Sequence, residues 1–97
     1  MTDRVELVNA GGETSVHIDA RIKADGSLLI SGQDLGAAPE EIFGDSDFEY
    51  WLSVPATEKD KLILALLEKH YSGEQKLVSL LRELFESKQI TYESHSH

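Results

Sequence analysis

The chain has 97 residues, of which 40% are hydrophobic and 28% charged, and its formal net charge is -9 at pH 7. This length predicts a single domain, residues 1–97, and the hydrophobic content is too high for a disordered chain. The sequence has no cysteine, which excludes disulfide bonds, thiolate metal sites and cysteine nucleophiles. Phosphate backbones repel so acidic a chain, so we expect no binding to nucleic acid.

The N-terminal segment and the apolar runs bear on localisation. Residues 1–10 contain no apolar run preceded by positive charge, so no signal peptide is predicted. The longest apolar run, residues 62–67, is far shorter than the ~20 residues that span a bilayer. We therefore expect a cytoplasmic protein that does not bind membranes.

The first third of the chain alternates between apolar and polar residues, a pattern typical of strands with one buried face. Val5 and Leu7 mark a short first strand. The segment Val16–Ala24 alternates most clearly and predicts a second strand. A two-residue turn at Asp25-Gly26 then predicts a hairpin whose other strand is Ser27–Ser31.

Residues 33–49 are the most acidic stretch of the chain, and we expect them to form a long ordered loop on the sheet. This acidic loop contains no Lys or Arg and carries six carboxylates: Asp34, Glu40, Glu41, Asp45, Asp47 and Glu49. Within it, Pro39 to Gly44 has the residue types of one helical turn. The strand Phe48–Val54 follows, and its alternation places Trp51 on the polar face, away from the main core.

Two amphipathic helices complete the chain. Apolar residues at helical spacing predict one helix from about Thr57 to about Tyr71 and another from Leu77 to about Lys88. Residues 90–92 predict a short final strand, and residues 93–97 a flexible tail. The fold class is therefore α+β, with a four-stranded antiparallel meander, two C-terminal helices packed on one face, and a short final strand.

Two segments of the chain resemble a family of small acidic bacterial proteins of unknown function. The resemblance lies in Asp25–Gly36, which ends in SGQDLG, and in Glu49–Val54, which reads EYWLSV. It implies a bacterial origin and a compact α+β domain. It implies no activity, and no catalytic residue follows from it.

The acidic loop has the oxygen ligands that hard cations prefer. It is not an EF-hand, because counting from Asp45 places Tyr50 and Ala56 where that motif requires Gly and Glu. Two interpretations stay open. Asp34, Asp45 and Asp47 form a looser cation site, or Gly44-Asp45-Ser46-Asp47 is a turn whose Asp and Ser side chains bond their own backbone. The sequence offers no paired acids in a pocket and no nucleophile held beside a histidine, so we predict neither an enzyme nor a cofactor.

Trp51 is the residue that stands out on the predicted polar face. It is an interface anchor beside the acidic loop, or a residue that Ile42 and Phe43 bury as a small second core. The two interpretations are not exclusive, since a packed tryptophan can still present its edge. The leading hypothesis is a non-enzymatic binding protein of the immunity or inhibitor type that masks a basic protein. Trp51 and Phe43 would anchor that partner, and the six carboxylates would steer it. The alternatives are a homodimeric domain without a ligand, a weak divalent-cation-binding module, and an acidic surface that only keeps the protein soluble.

Overall fold

The computed structural model describes residues 3–37, 41–42, 44 and 47–96. A four-stranded antiparallel sheet with the order β1-β2-β3-β4 is followed by two helices, which confirms the predicted α+β class and the meander. The elements are β1 (Arg4–Ala10), β2 (Thr14–Ile22), β3 (Leu28–Gly36), β4 (Asp47–Val54), a 3-10 turn (Ala56–Glu58), α1 (Lys59–Tyr71) and α2 (Leu77–Ser87). The chain divides into two compact units, residues 1–62 and 63–97. The packing of the helices on the sheet stays a prediction, as does the single domain.

The strand registers sort the side chains of the sheet onto two faces. β2 pairs with β3, and β3 with β4, without a register shift, so partners across the strands share a face. The apolar face carries Val16, Ile18, Ala20, Ile22, Leu28, Ile30, Gly32, Asp34, Phe48, Tyr50, Leu52 and Val54. The polar face carries Ser15, His17, Asp19, Arg21, Leu29, Ser31, Gln33, Leu35, Asp47, Glu49, Trp51 and Ser53. The predicted placement of Trp51 on the polar face is thus confirmed.

The turn between β2 and β3 differs from the predicted two-residue turn. The Lys23 amide donates to the Ser27 carbonyl at 2.8 Å, and the Gly26 amide donates to the Lys23 carbonyl at 2.9 Å. Gly26 has a φ of 85°, so the loop is Ala24-Asp25-Gly26, a tight turn followed by one left-handed residue. Ala24 therefore lies in the loop, whereas the alternation had placed it on the strand.

Asp25 holds this loop through its side chain. The carboxylate accepts hydrogen bonds from the Ser27 hydroxyl at 2.6 Å and from the Ser27 amide at 2.9 Å. These hydrogen bonds lower the pKa of Asp25 from its ordinary value, because they stabilise the ionised form. The hairpin itself is confirmed.

The third strand is longer than the sequence pattern predicts, and it takes in the start of the acidic loop. Gln33 to Gly36 pair with β2, where Thr14 lies opposite Gly36, so these residues belong to a strand and not to a loop. Gly36 can close this end of the ladder because its φ is 120° and because a side chain there would collide with the Glu13 carbonyl. Of the predicted helical turn, Glu41 and Ile42 are helical, while Pro39 lies outside the described residues.

Tyr50 covers a gap in the middle of the sheet. Gly32 lies directly opposite Tyr50, and a Cβ at Gly32 would collide with the tyrosine ring. The hydroxyl of Tyr50 reaches past Gly32 and donates to Asp34 Oδ1 at 2.9 Å. Phe48 flanks the ring, with centroids 5.7 Å apart. A bare glycine backbone is thereby shielded by an aromatic cross-strand neighbour.

Burial in the described part of the chain is partial. No hydrophobic side chain among these residues is fully buried, and most of those on the apolar face are half-buried. At β4, Leu52 is 67% exposed although it lies on the apolar face.

The second helix ends in a motif that turns the chain back, and the predicted final strand does not form. The Ile90 amide donates to the Phe85 carbonyl at 2.8 Å and the Gln89 amide to the Glu86 carbonyl at 3.3 Å, with Gln89 at a φ of 58°. This pair of bonds is a Schellman motif with Gln89 in the left-handed position. Tyr92 then packs on Phe85, with ring centroids 5.5 Å apart. Residues 90–92 therefore lie along α2 without regular secondary structure, and their predicted strand is wrong.

The left-handed position of Gln89 generates a stability prediction. Gln89→Gly should raise the free energy of unfolding by roughly 0.5–1 kcal/mol, because glycine adopts this φ without the clash that a Cβ makes. Chemical denaturation measures the change. Lys88→Gly is the control, since Lys88 has a φ of -107° and gains nothing from glycine. An equal gain for both substitutions would contradict this explanation.

The contact between Gly32 and Tyr50 generates a second stability prediction. Gly32→Ala should lower the free energy of unfolding by about 1–3 kcal/mol, because the new methyl group overpacks against the Tyr50 ring. Thermal or chemical denaturation measures it. Gly11→Ala is the control, since a Cβ there meets no atom within 4 Å. In a Tyr50→Ala background the cost of Gly32→Ala should largely disappear; a cost that persists unchanged would contradict the proposed contact.

Candidate functional site

The polar face of the sheet contains a shallow depression of about 330 Å³. All four strands contribute to it, so it lies across the whole width of the sheet. Its lining residues are Arg4, Glu6, Val8, His17, Ile18, Asp19, Ser31, Gly32, Gln33, Glu49 and Trp51. We refer to it as the Trp51 depression.

Trp51 is the large aromatic side chain of this depression, and 59% of its surface is exposed. In the described part of the chain β4 is an edge strand of the sheet, and the small residue Ser31 of β3 lies directly opposite Trp51. Ser31 is too small to cover an indole ring. Trp51 is therefore not buried as a small second core, and that interpretation is wrong. Ile42, one of the two residues expected to cover it, is itself 72% exposed, and the other, Phe43, lies outside the described residues.

Two carboxylates on the polar face of β4 are joined by one amide. Asp47 and Glu49 alternate along β4 and share the polar face, and Gln33 lies opposite Glu49. The Gln33 Nε2 donates to Asp47 Oδ1 at 3.0 Å and to Glu49 Oε1 at 3.5 Å. A side-chain amide has two N–H groups and can serve two acceptors. Gln33 thus links Glu49, which lines the depression with Trp51, to Asp47, which lies further along β4.

The opposite end of the depression contains an ion pair. Arg4 on β1 binds Asp19 on β2, whose side chain is 19% exposed against 69% for Arg4. Glu6 lines the same region. Because Arg4 is matched by Asp19, the lining retains the charges of Glu6 and Glu49, and the depression is negative overall.

The acidic residues predicted as one site are not all together. Asp34 lies on the apolar face and accepts the Tyr50 hydroxyl, so it is separated from Asp47 and Glu49 by the sheet. Glu41 is exposed, and Glu40 and Asp45 lie outside the described residues. The cation site imagined from Asp34, Asp45 and Asp47 is accordingly not assembled, since Asp34 and Asp47 point to opposite faces. Among the described residues no group of three or more His, Asp and Glu side chains could hold a metal ion.

Sequence reasoning missed the contribution of the first two strands to this site. The alternation in β2 had already placed His17 and Asp19 on the polar face, together with Trp51. In a meander the strands β2 and β4 flank β3, so side chains on one face of all three are neighbours. That rule could have added His17, Asp19 and Gln33 to the candidate residues. The positions of Arg4 and Glu6 in the site were harder to predict from the sequence, because a bulge between Glu6 and Val8 shifts the register of β1 against β2.

The chain matches no protein-family model, no curated protein and no solved structure. The resemblance to small acidic bacterial proteins of unknown function therefore stays a prediction. Neither helix in the described part of the chain has the length and apolar character needed to cross a membrane.

The hydrogen bond that removes Asp34 from the acidic surface also changes the titration of Tyr50. Donation to the Asp34 carboxylate raises the pKa of Tyr50 above its ordinary value of 10.0, and partial burial and the negative charge of Asp34 act in the same direction. A group whose pKa is higher in the folded than in the unfolded state contributes its full stabilisation at pH values below the unfolded pKa. That contribution disappears as the pH rises through the higher folded pKa.

This hydrogen bond predicts how stability depends on alkaline pH. The free energy of unfolding of the native chain should decline as the pH rises above about 10, and Tyr50→Phe should remove part of this decline. Denaturation at several alkaline pH values, with tyrosinate absorbance in parallel, measures both. Tyr71→Phe is the control, since in the described part of the chain the Tyr71 hydroxyl donates to no carboxylate. The assignment would be wrong if Tyr50→Phe and Tyr71→Phe changed the pH dependence equally.

Proposed function

We propose that this chain is a non-enzymatic binding protein of the immunity or inhibitor type, which masks a basic protein partner with the Trp51 depression. The observation that carries the proposal is an indole that is 59% exposed beside the carboxylate of Glu49. Tryptophan is enriched among the residues that contribute most to interface affinity.

The chemistry of the depression favours a cationic side chain of the partner. A guanidinium or ammonium group on the face of Trp51 gains cation–π attraction, and Glu49, which lines the same depression, offers it a carboxylate. The Gln33 amide binds the Glu49 carboxylate and also that of Asp47, which lies further along β4. An arginine suits the geometry best, because its planar group stacks on an indole and binds a carboxylate at the same time.

The distribution of charge along the chain supports a basic partner over a neutral one. Residues 1–55 hold eleven acids and three bases, a net charge of -8 out of the total of -9. This half of the chain contains the sheet and its polar face. A field of one sign accelerates encounter with a partner of opposite charge, and salt weakens that effect.

The hydrogen bonds within the depression favour binding over nucleophilic catalysis. Ser31, His17 and Asp19 share the polar face, but Asp19 is paired with Arg4. In the described residues no hydrogen bond links Ser31 to His17. A serine that attacks a substrate needs a histidine within hydrogen-bond reach and a carboxylate that orients it. The acids therefore serve recognition in this proposal.

The proposed function is tested with an arginine-rich peptide as the probe. Trp51 is the only tryptophan, so its fluorescence reports directly on the depression. We expect the peptide to change Trp51 emission at ~50 mM salt and to lose affinity at ~300 mM, because screening acts over roughly 10 Å at 0.1 M. Glu49→Lys should weaken binding by about tenfold, the factor that corresponds to ~1.4 kcal/mol. Glu83→Lys on α2 changes the net charge equally and is the control. Equal losses of peptide affinity in both variants would show that only the net charge matters, and would contradict a binding site at the Trp51 depression.

A partner captured from a lysate of the source organism extends the test to a natural ligand. A stoichiometric basic protein, retained at low salt and released at high salt, should be lost with Trp51→Ala. Leu52→Ala is the matched control, because Leu52 is the next residue of β4, is 67% exposed and lies on the opposite face. Capture that survives Trp51→Ala but fails with Leu52→Ala would place the interface on the wrong face for this proposal.

A further inference from the structure

The two edges of the sheet differ in how well they are protected from pairing with another strand. β1 carries a bulge at Leu7, which interrupts its register with β2. β4 pairs with β3 in unbroken register from Asp47 to Val54 and contains no Lys, Arg or Pro. Natural edge strands avoid association through bulges, prolines and charged side chains, lysine above all. β4 has no bulge, lysine or proline, and its two charges, Asp47 and Glu49, lie in its first half.

The β4 edge also exposes two large apolar side chains. Trp51 and Leu52 are consecutive, point to opposite faces, and are 59% and 67% exposed. The outer side of an edge strand also presents N–H and C=O groups that another strand can satisfy. A strand added at this edge would therefore gain main-chain hydrogen bonds and would cover apolar surface on both faces.

The charges of β4 select the partner strand. Both acids, Asp47 and Glu49, lie in its first half, and residues 50–54 are uncharged. Parallel pairing of two copies of β4 would align acid with acid, whereas antiparallel pairing aligns the acidic half with the uncharged half. In the register centred on Tyr50, Glu49 faces Trp51 of the second copy and Asp47 faces Ser53. In the register centred on Trp51, Glu49 faces Ser53. Neither register places two carboxylates of β4 directly opposite each other.

We propose that β4 pairs antiparallel with β4 of a second copy of this chain, about a two-fold axis at Tyr50 or Trp51. The pairing joins the two four-stranded sheets edge to edge and leaves the polar face continuous across the axis. Such a two-fold contact is self-complementary, as homodimer interfaces are. This inference does not depend on the proposed basic partner.

The proposed dimer is weak, and salt strengthens it. Pairing along one edge covers less area than the roughly 1,200–2,000 Å² of a standard stable interface. Each copy also carries a net charge of -9, so the copies repel each other until salt screens them. This salt dependence is opposite to that expected for a basic partner, so the failure of one proposal can be distinguished from the failure of the other.

Substitutions at Ser53 test the pairing, because Ser53 faces an acid in both registers. Ser53→Glu should raise the dimer dissociation constant by about tenfold, since the two-fold axis repeats each unfavourable cross-strand pair. Ser53→Lys should preserve or strengthen the dimer, because its amine would face Asp47 or Glu49. Ser79→Glu and Ser79→Lys, at an exposed position of α2, are the matched controls and should have little effect. Light scattering over a concentration series, at low and high salt, measures the mass.

Amide hydrogen exchange provides an independent measurement on the full chain. Protection of β4 should increase with protein concentration, while that of β1 should not. A monomeric mass up to roughly 1 mM would overturn the proposal. So would a dimer that responds alike to Ser53→Glu and Ser53→Lys, because its interface would lie elsewhere. Protection of β4 that appears only when a foreign peptide is added would mean that β4 binds a peptide strand and not a second copy. That result would also overturn the proposal.

Discussion

The Tyr50 ring lies on Gly32, where any side chain would collide with it, and this contact depends on β3 and β4 being paired in one register. The Tyr50 hydroxyl strengthens the same register by binding Asp34 two residues further along β3. Because side chains alternate with a period of two, a slip by one residue would exchange the faces of every residue in β4. Trp51 would then move to the apolar face, and Tyr50 would be placed among the acids of the polar face. The composition of both faces thus depends on this pairing.

Separation of charge across the sheet follows from that register. Glu49, Asp47 and Trp51 share the polar face because they alternate along β4, and Gln33 binds both carboxylates because β3 places it opposite Glu49. Asp34 is only one residue from Gln33, yet its charge faces the other side and is engaged by Tyr50. Acids that are close in the sequence therefore lie in two different environments in the fold, one on each face of the sheet. The proposed recognition of a cationic group therefore involves only the acids on the polar face.

β4 combines the two properties from which both proposals arise. As an edge strand, it leaves Trp51 open on one face and Leu52 open on the other. Its outer side also has main-chain groups that another strand can bind. In the register centred on Tyr50, self-pairing would bring Glu49 of a second copy beside Trp51. The proposed dimer would then add negative charge to the proposed binding site and would also cover part of Trp51, so the two proposals draw on the same side chain.

Local sequence pattern determined the elements of this protein, and pairing between distant strands decided how their side chains are used. Alternation predicted β2 and β4 and the polar position of Trp51, and helical spacing predicted α1 and α2, since both signals depend on residues close in sequence. The extension of β3 through Gln33 to Gly36 was missed, because a ladder with Thr14 to His17 carries no local signal. The placement of Asp34 and the exposure of Trp51 were likewise decided by tertiary structure. They depend on which residue lies opposite, a tyrosine hydroxyl in one case and a small serine in the other. The chain after α2 shows the same limit: Ile90 to Tyr92 has strand-like residues, but Gln89 turns it back toward Phe85 before any strand can pair with it.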